Sequence, residues 1–199
     1  MVTVQISLYD GFDELDALGP YEVFANAVSF GADLDVELVT LDPVDVIEAS
    51  HGLRVEPHGV LSDQSGINGP DILVVPGGGW NDRSQSGAWH EVEQGDLPDA
   101  IARLHADGTT IASVCTGGMI LGHAGVLEGR PATTHAGALD DLRELVGEVR
   151  DERVVDDGTI VTAGGVTSGL DLALHLVERI ADEETAEHVA KRMEYERRR

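Results

Sequence analysis

The sequence predicts one α/β domain over residues 1–199, with a mainly parallel sheet flanked by helices on both faces. Three observations carry this. Short apolar runs alternate with helical stretches along the whole chain. Two of the runs, 71–75 (DILVV) and 109–114 (TTIASV), are almost wholly apolar, as strands buried on both faces are. No Pro/Gly/Ser linker, internal repeat or low-complexity tract divides the 199 residues, a length ample for one large core.

The elements follow in order. Residues 2–8 (VTVQISL) read as a strand, and residues 16–28 as a helix with Pro20 near its start. Residues 34–40 form the next strand. Residues 46–58 hold weaker extended segments around His51 and Gly52, a small hairpin. The run 71–75 is a strand ended by Pro76, Gly77, Gly78 and Gly79. Residues 97–105 read as a helix stopped at Asp107 and Gly108, and 109–114 as a strand entering a small-residue helix after Cys115. Residues 132–134 are a short strand, and 137–146 a helix. Strands at 154–155 and 159–162 flank Asp156, Asp157 and Gly158, a hairpin turn signal. Residues 167–180 and 183–196 close the chain as helices.

Charge narrows the function classes. Lys and Arg total 13 against 37 Asp and Glu, a net charge of −24. Small domains more often carry a net charge of roughly 2–8 in magnitude. Such acidity repels phosphate backbones, so no nucleic-acid partner is expected. No run reaches about 18 apolar residues, so no membrane span is expected. The N-terminus enters a strand directly, without the basic and apolar regions of a signal peptide, and a cytoplasmic location is expected. Lys191 is the one lysine against twelve arginines, and the acids are scattered. An ordinary acidic protein fits this. So does adaptation to very high intracellular salt, where ions screen repulsion between surface carboxylates.

The chemistry gathers at three loops after strands, where sites lie in parallel α/β sheets. Cys115 is the single cysteine, unable to form an internal disulfide and a poor start for a zinc site. It sits between an apolar strand and a helix start, as a nucleophile does on a sharp elbow. Gly117 and Gly118 clear space, and the helix aims its first N–H groups at Cys115, which favours thiolate. A buried, inert cysteine is the plain alternative. Gly77–Gly79 either form a simple loop or let backbone amides join that of Thr116 in an oxyanion hole. Among the acids Asp10, Asp13, Glu14 and Asp16, Asp16 lies where the loop enters an apolar helix. It is an N-cap, or it projects over the strand ends and exchanges a proton with Cys115. His135 follows a strand and sits near the site or packs structurally. Asp171 caps or packs at the start of the penultimate helix.

Together these segments resemble the ThiJ/PfpI superfamily, and within it the isonitrile hydratases. The likeness runs through 15–24 (LDALGPYEVF), 75–78 (VPGG), 114–117 (VCTG), 121–127 (LGHAGVL), 132–135 (ATTH) and 166–174 (VTSGLDLAL). It implies a flavodoxin-like, class I glutamine amidotransferase-like fold. It implies addition of water to R–N≡C, giving an N-substituted formamide, with Cys115 as nucleophile and Asp16 as acid and base. Thr116 would orient the site, with Gly78, Gly79 and His135 on the substrate or oxyanion side. No metal or organic cofactor is implied, and the partner is a small-molecule substrate. Two departures stand out. Peptidase-like members place His directly after the cysteine, where this chain has Thr116. Isonitrile hydratases carry an aromatic after the Thr-Thr-His stretch, where it has Ala136.

Other readings use the same thiol. Glyoxalase or deglycase chemistry would attack a reactive carbonyl. A redox- or ligand-sensing module would oxidise Cys115 reversibly or bind without turnover. Related regulators add a helix-turn-helix region, for which the residues before Arg199 leave no room, and residues 197–199 read as a solvated tail. Relatives of this fold often pair as homodimers, with the helix at 18–28 a candidate contact.

Overall fold

The computed structural model describes residues 1–62 and 69–198. Its first half runs β1 (Val2–Ser7), α1 (Glu14–Ser29), β2 (Leu34–Thr40), β3 (Ile47–Glu48), β4 (Arg54–Val55), β5 (Gly59–Val60) and β6 (Ile72–Val75). Then come α2 (Ala88–Gln94), α3 (Asp96–Ala106), β7 (Thr110–Ser113), α4 (Gly117–His123), β8 (Pro131–Ala132), a 3-10 turn (Ala136–Ala138) and α5 (Leu139–Leu142). The chain closes with β9 (Glu148–Val149), β10 (Val154–Asp156), β11 (Ile160–Ala163), α6 (Ser168–Ile180) and α7 (Glu183–Arg192).

The main sheet has the order β10-β11-β7-β6-β1-β2-β5 and is parallel except where β10 meets β11. The all-apolar β6 is buried along its whole length, and β7 along all but its first residue. Burial on both faces explains their composition. Helices α1, α6 and α7 pack together, as do α2, α3 and α4. Right-handed crossovers running in opposite directions from β1 put these two groups on opposite faces. The strand order reverses between β1 and β6. A crevice therefore opens at their carboxyl ends, flanked by those of β7 and β11.

Several expectations need correction. Helix α1 begins at Glu14, and its N-cap is Asp13, whose carboxylate accepts the Leu15 N–H at 3.2 Å. Asp16 is thus in the first turn, turned inward, and not a cap. Helix α2 was not anticipated; it is one short segment between two left-handed glycine positions, Gly87 and Gly95, too brief to show a period. The helix expected over 137–146 is only the 3-10 turn and α5, after which the chain bends so that β9 pairs beside β8. The expected hairpin around His51 is present as β3 and β4.

The tail expected to be solvated is docked in part, although Arg198 stays exposed. Asp171, buried in the first turn of α6, accepts from Arg153 Nε at 2.7 Å, Tyr195 Oη at 2.9 Å and the Arg198 N–H at 2.8 Å. Arg197 pairs with Glu178 at 2.6 Å. Arg199 lies outside the described residues. Among the described residues no helix is long and apolar enough to cross a membrane.

Candidate active site

Cys115 leaves β7 on a sharp elbow. Its φ is +55°, a left-handed value that a side chain with a Cβ rarely adopts. Bonds on both sides hold it there. Its N–H donates to the Gly164 carbonyl at 2.9 Å, and its own carbonyl accepts the Thr134 hydroxyl at 2.8 Å. The neighbouring turn after β6 approaches closely: a Cβ on Gly77 would lie 2.5 Å from Thr116 Oγ1. Glycine is required there by contact, since Gly77 does not have a positive φ.

Asp16 reaches the same point from α1. Its carboxyl is fully buried, and Oδ2 accepts the Gly77 N–H at 2.9 Å. Oδ1 is buried with no hydrogen bond of regular geometry. Burial, reinforced by the charge of Asp13, pushes its pKa up to about 7, against the pull of the Gly77 amide and the Cys115 thiol. At neutral pH the carboxyl is therefore poised between acid and base.

The expectation of a resting thiolate fails. Burial, with the Asp16 charge second, pushes the Cys115 thiol up to about 12. The amides of Val166 and Thr116 hydrogen-bond the sulfur and pull the other way, without prevailing. A short helix dipole is a small term beside desolvation and a facing carboxylate. The resting group is a thiol.

Gly78 also departs from its expected part. Its N–H donates to Thr116 Oγ1 at 2.9 Å, so it is not a free donor for a substrate. The Thr116 amide faces the sulfur. The Gly79 amide has no hydrogen-bond partner among the described residues, which leaves it available to an oxyanion. Thr116 instead ties the glycine loop to the elbow.

Cys115, Thr116, Gly78, Gly79 and His135 line one cavity of about 210 Å³, with Asp13, Trp80, Asn81, Asp82 and Val166 completing the wall. Asp16 is not on that wall. His135 Nδ1 accepts the Gly137 N–H at 3.0 Å, which places a neutral ring's proton on Nε2. The sequence reading missed several of these residues. Val166, with φ +23°, supplies an amide to the sulfur from the loop after β11. Tyr9, buried beyond β1, donates its hydroxyl to the Pro76 carbonyl at 2.5 Å and stiffens the glycine loop. An aromatic directly after a strand was the available signal for Tyr9. Among the described residues one group, Asp13, Glu14 and His51, brings possible metal-binding atoms within 4.8 Å of one another. There His51 Nδ1 and Glu14 Oε2 already pair at 2.6 Å.

Comparison with known proteins fits this architecture. The chain is 36% identical over 189 residues to isonitrile hydratase of Pseudomonas putida, covering 94% of this chain and 76% of that one. It is 34% identical over 119 residues to deglycase PfpI of Pyrococcus furiosus, covering 59% of this chain and 66% of the relative. A crystal structure of a ThiJ/PfpI family protein from Pseudomonas syringae superposes with a TM-score of 0.84 at 28% identity. That match covers 100% of this chain and 76% of the other. The DJ-1/PfpI family profile matches residues 2–179, from the start of β1 almost to the end of α6. With the profile spanning every strand of the main sheet, the chain belongs to the DJ-1/PfpI family.

Proposed function

We propose that the chain is an isonitrile hydratase-like lyase, adding water to R–N≡C with Cys115 as nucleophile and Asp16 as acid and base. One observation carries the reading: a buried carboxyl poised near neutral pH interacts directly with a thiol on a strained elbow. The isonitrile carbon accepts both the nucleophile and the proton. An acid beside the sulfur suits that 1,1-addition, whereas attack on a carbonyl needs its proton on oxygen, one bond away.

The steps balance. Asp16 carboxylate takes the thiol proton as sulfur bonds the terminal carbon, then delivers it to that carbon, leaving a thioformimidate, R–N=CH–S–Cys115. Water adds to this carbon with Asp16 as base, and Asp16 hands that proton to nitrogen. As the C–S bond breaks, the hydroxyl proton of the adduct passes through Asp16 to the sulfur, and R–NH–CHO leaves. Gly79 and His135 line the cavity in which charge develops.

The relatives named above support the hydratase over the deglycase reading through fuller coverage of both chains. Incubation with cyclohexyl isocyanide is expected to yield the formamide, and Cys115→Ala to abolish it. Turnover that survives this substitution would exclude the mechanism. Turnover of methylglyoxal alone would favour deglycase-type chemistry, and peroxide oxidation of Cys115 with no turnover a sensor. The reading includes a single domain, a cytoplasmic location, adaptation to high salt and a homodimer. Leu15 and Val28 of α1 are both more than a third exposed, which suits a contact on that helix.

A further inference from the structure

The wall of the Cys115 cavity bears formal charge of one sign. Asp13 and Asp82 line it, and among the described residues no Lys or Arg does. Asp13 accepts the uncharged Leu15 N–H, and the imidazole within 4.8 Å of it, His51, is shared with Glu14, which it pairs at 2.6 Å, so the group of Asp13, Glu14 and His51 keeps a net negative charge. Exposed Asp82 has no ion-pair or hydrogen-bond partner among the described residues. The guanidinium closest along the chain, that of Arg83, lies 4.1 Å over the Trp89 ring. The imidazole on the wall, His135, accepts the Gly137 N–H at Nδ1. The charge of Asp13 also reaches the reacting pair, raising both Asp16 and Cys115.

We infer that this cavity admits neutral and cationic electrophiles and rejects those bearing a carboxylate or other anion, with Asp13 and Asp82 as specificity-determining residues. The physical basis is short range. Asp13 and Asp82 share the wall of a cavity of about 210 Å³, so an anionic substituent held there enters the field of both, and like charges repel. The inference deepens the proposed function and rests on its use of Cys115 as the attacking atom. It names the substrate class as small, uncharged or positively charged molecules.

Because Cys115 is the only cysteine, alkylation reads this site alone. The test compares iodoacetamide with iodoacetate, which differ chiefly in charge. Each rate is normalised to the same reagent acting on a small free thiol at the same pH and salt. At about 50 mM salt the normalised iodoacetate rate is expected about tenfold below that of iodoacetamide. The gap should narrow in molar KCl and shrink about two- to threefold in Asp82→Asn. Equal normalised rates at low salt, or faster reaction of iodoacetate, would overturn the inference. So would failure of both reagents to label the folded protein under conditions that label the unfolded chain. The hydratase reading fails separately. Charge discrimination in labelling without turnover of any isonitrile would sink that reading and support this one.

Discussion

Asp16→Asn separates the carboxyl's part in folding from its part in chemistry. Burial moves its pKa from an ordinary 3.8 to about 7. A shift of about 3 units is worth about 4 kcal/mol at roughly 1.36 kcal/mol per unit. The folded value lies above the unfolded one, so the stabilisation is complete below the unfolded pKa and is lost as pH rises through about 7. Asparagine keeps the shape and an oxygen for the Gly77 N–H, and it does not ionise. The variant should therefore match the parent near pH 4 and exceed it near pH 8 by about 2–4 kcal/mol. At about 2–4 °C per kcal/mol for a chain of this size, Tm should rise by roughly 5–15 °C. Thermal melts at acid, neutral and mildly alkaline pH measure this. A stability gap that stays constant with pH, or closes as pH rises, would refute the burial argument. The same variant tests the chemistry. Removing the facing charge should lower the thiol pKa, read by ultraviolet thiolate absorbance, while turnover falls. In the parent, kcat/KM should rise with pH to a plateau as Asp16 ionises near 7, and the variant should lack that limb. A more acidic thiol with undiminished turnover would show that Asp16 is not the proton carrier.

Other perturbations reach the scaffold. Gly77→Ala places a Cβ 2.5 Å from Thr116 Oγ1 and should cost about 2–3 kcal/mol by urea denaturation; a neutral change would mean the two turns are not in contact. Thr116→Val leaves the Gly78 N–H without its acceptor, costing about 1–3 kcal/mol, with turnover falling as the glycine loop loosens. Asp171→Ala strips the acceptor from Arg153, Tyr195 and the Arg198 amide. It should cost about 3 kcal/mol and open the chain after Arg192 to limited proteolysis, and an unchanged cleavage pattern would contradict the docked tail. Tm should climb between low and molar KCl, as screening relieves repulsion within a chain of charge −24; a flat response would count against salt adaptation.

Legibility followed range. The runs at β6 and β7 were readable because burial on both faces leaves an almost wholly apolar stretch. The β10–β11 hairpin was readable because Asp157 and Gly158 state the turn locally. Helix α2 was not, since seven residues between glycines show too few turns for a period. The acids before and within α1 exposed a harder limit. Asp13 and Asp16 lie three residues apart, and either suits a cap by composition. Only the packed helix shows that Asp13 caps in the outer loop and Asp16 turns beneath Cys115.

Much about this protein was determined by the sequence alone: the alternation of strands and helices, the parallel sheet, and Cys115 at a strand-to-helix elbow. Those properties rest on patterns spanning a few residues, which neighbours along the chain suffice to write. The tertiary structure decided which protons and amides the site has to work with. Desolvation and charge at Cys115 sum over atoms brought by α1, the glycine loop, α4 and the loop after β11. That sum holds the thiol protonated and poises Asp16 near neutrality. It also takes the Gly78 amide for Thr116 and leaves that of Gly79 without a partner among the described residues, and no short stretch of sequence contains it.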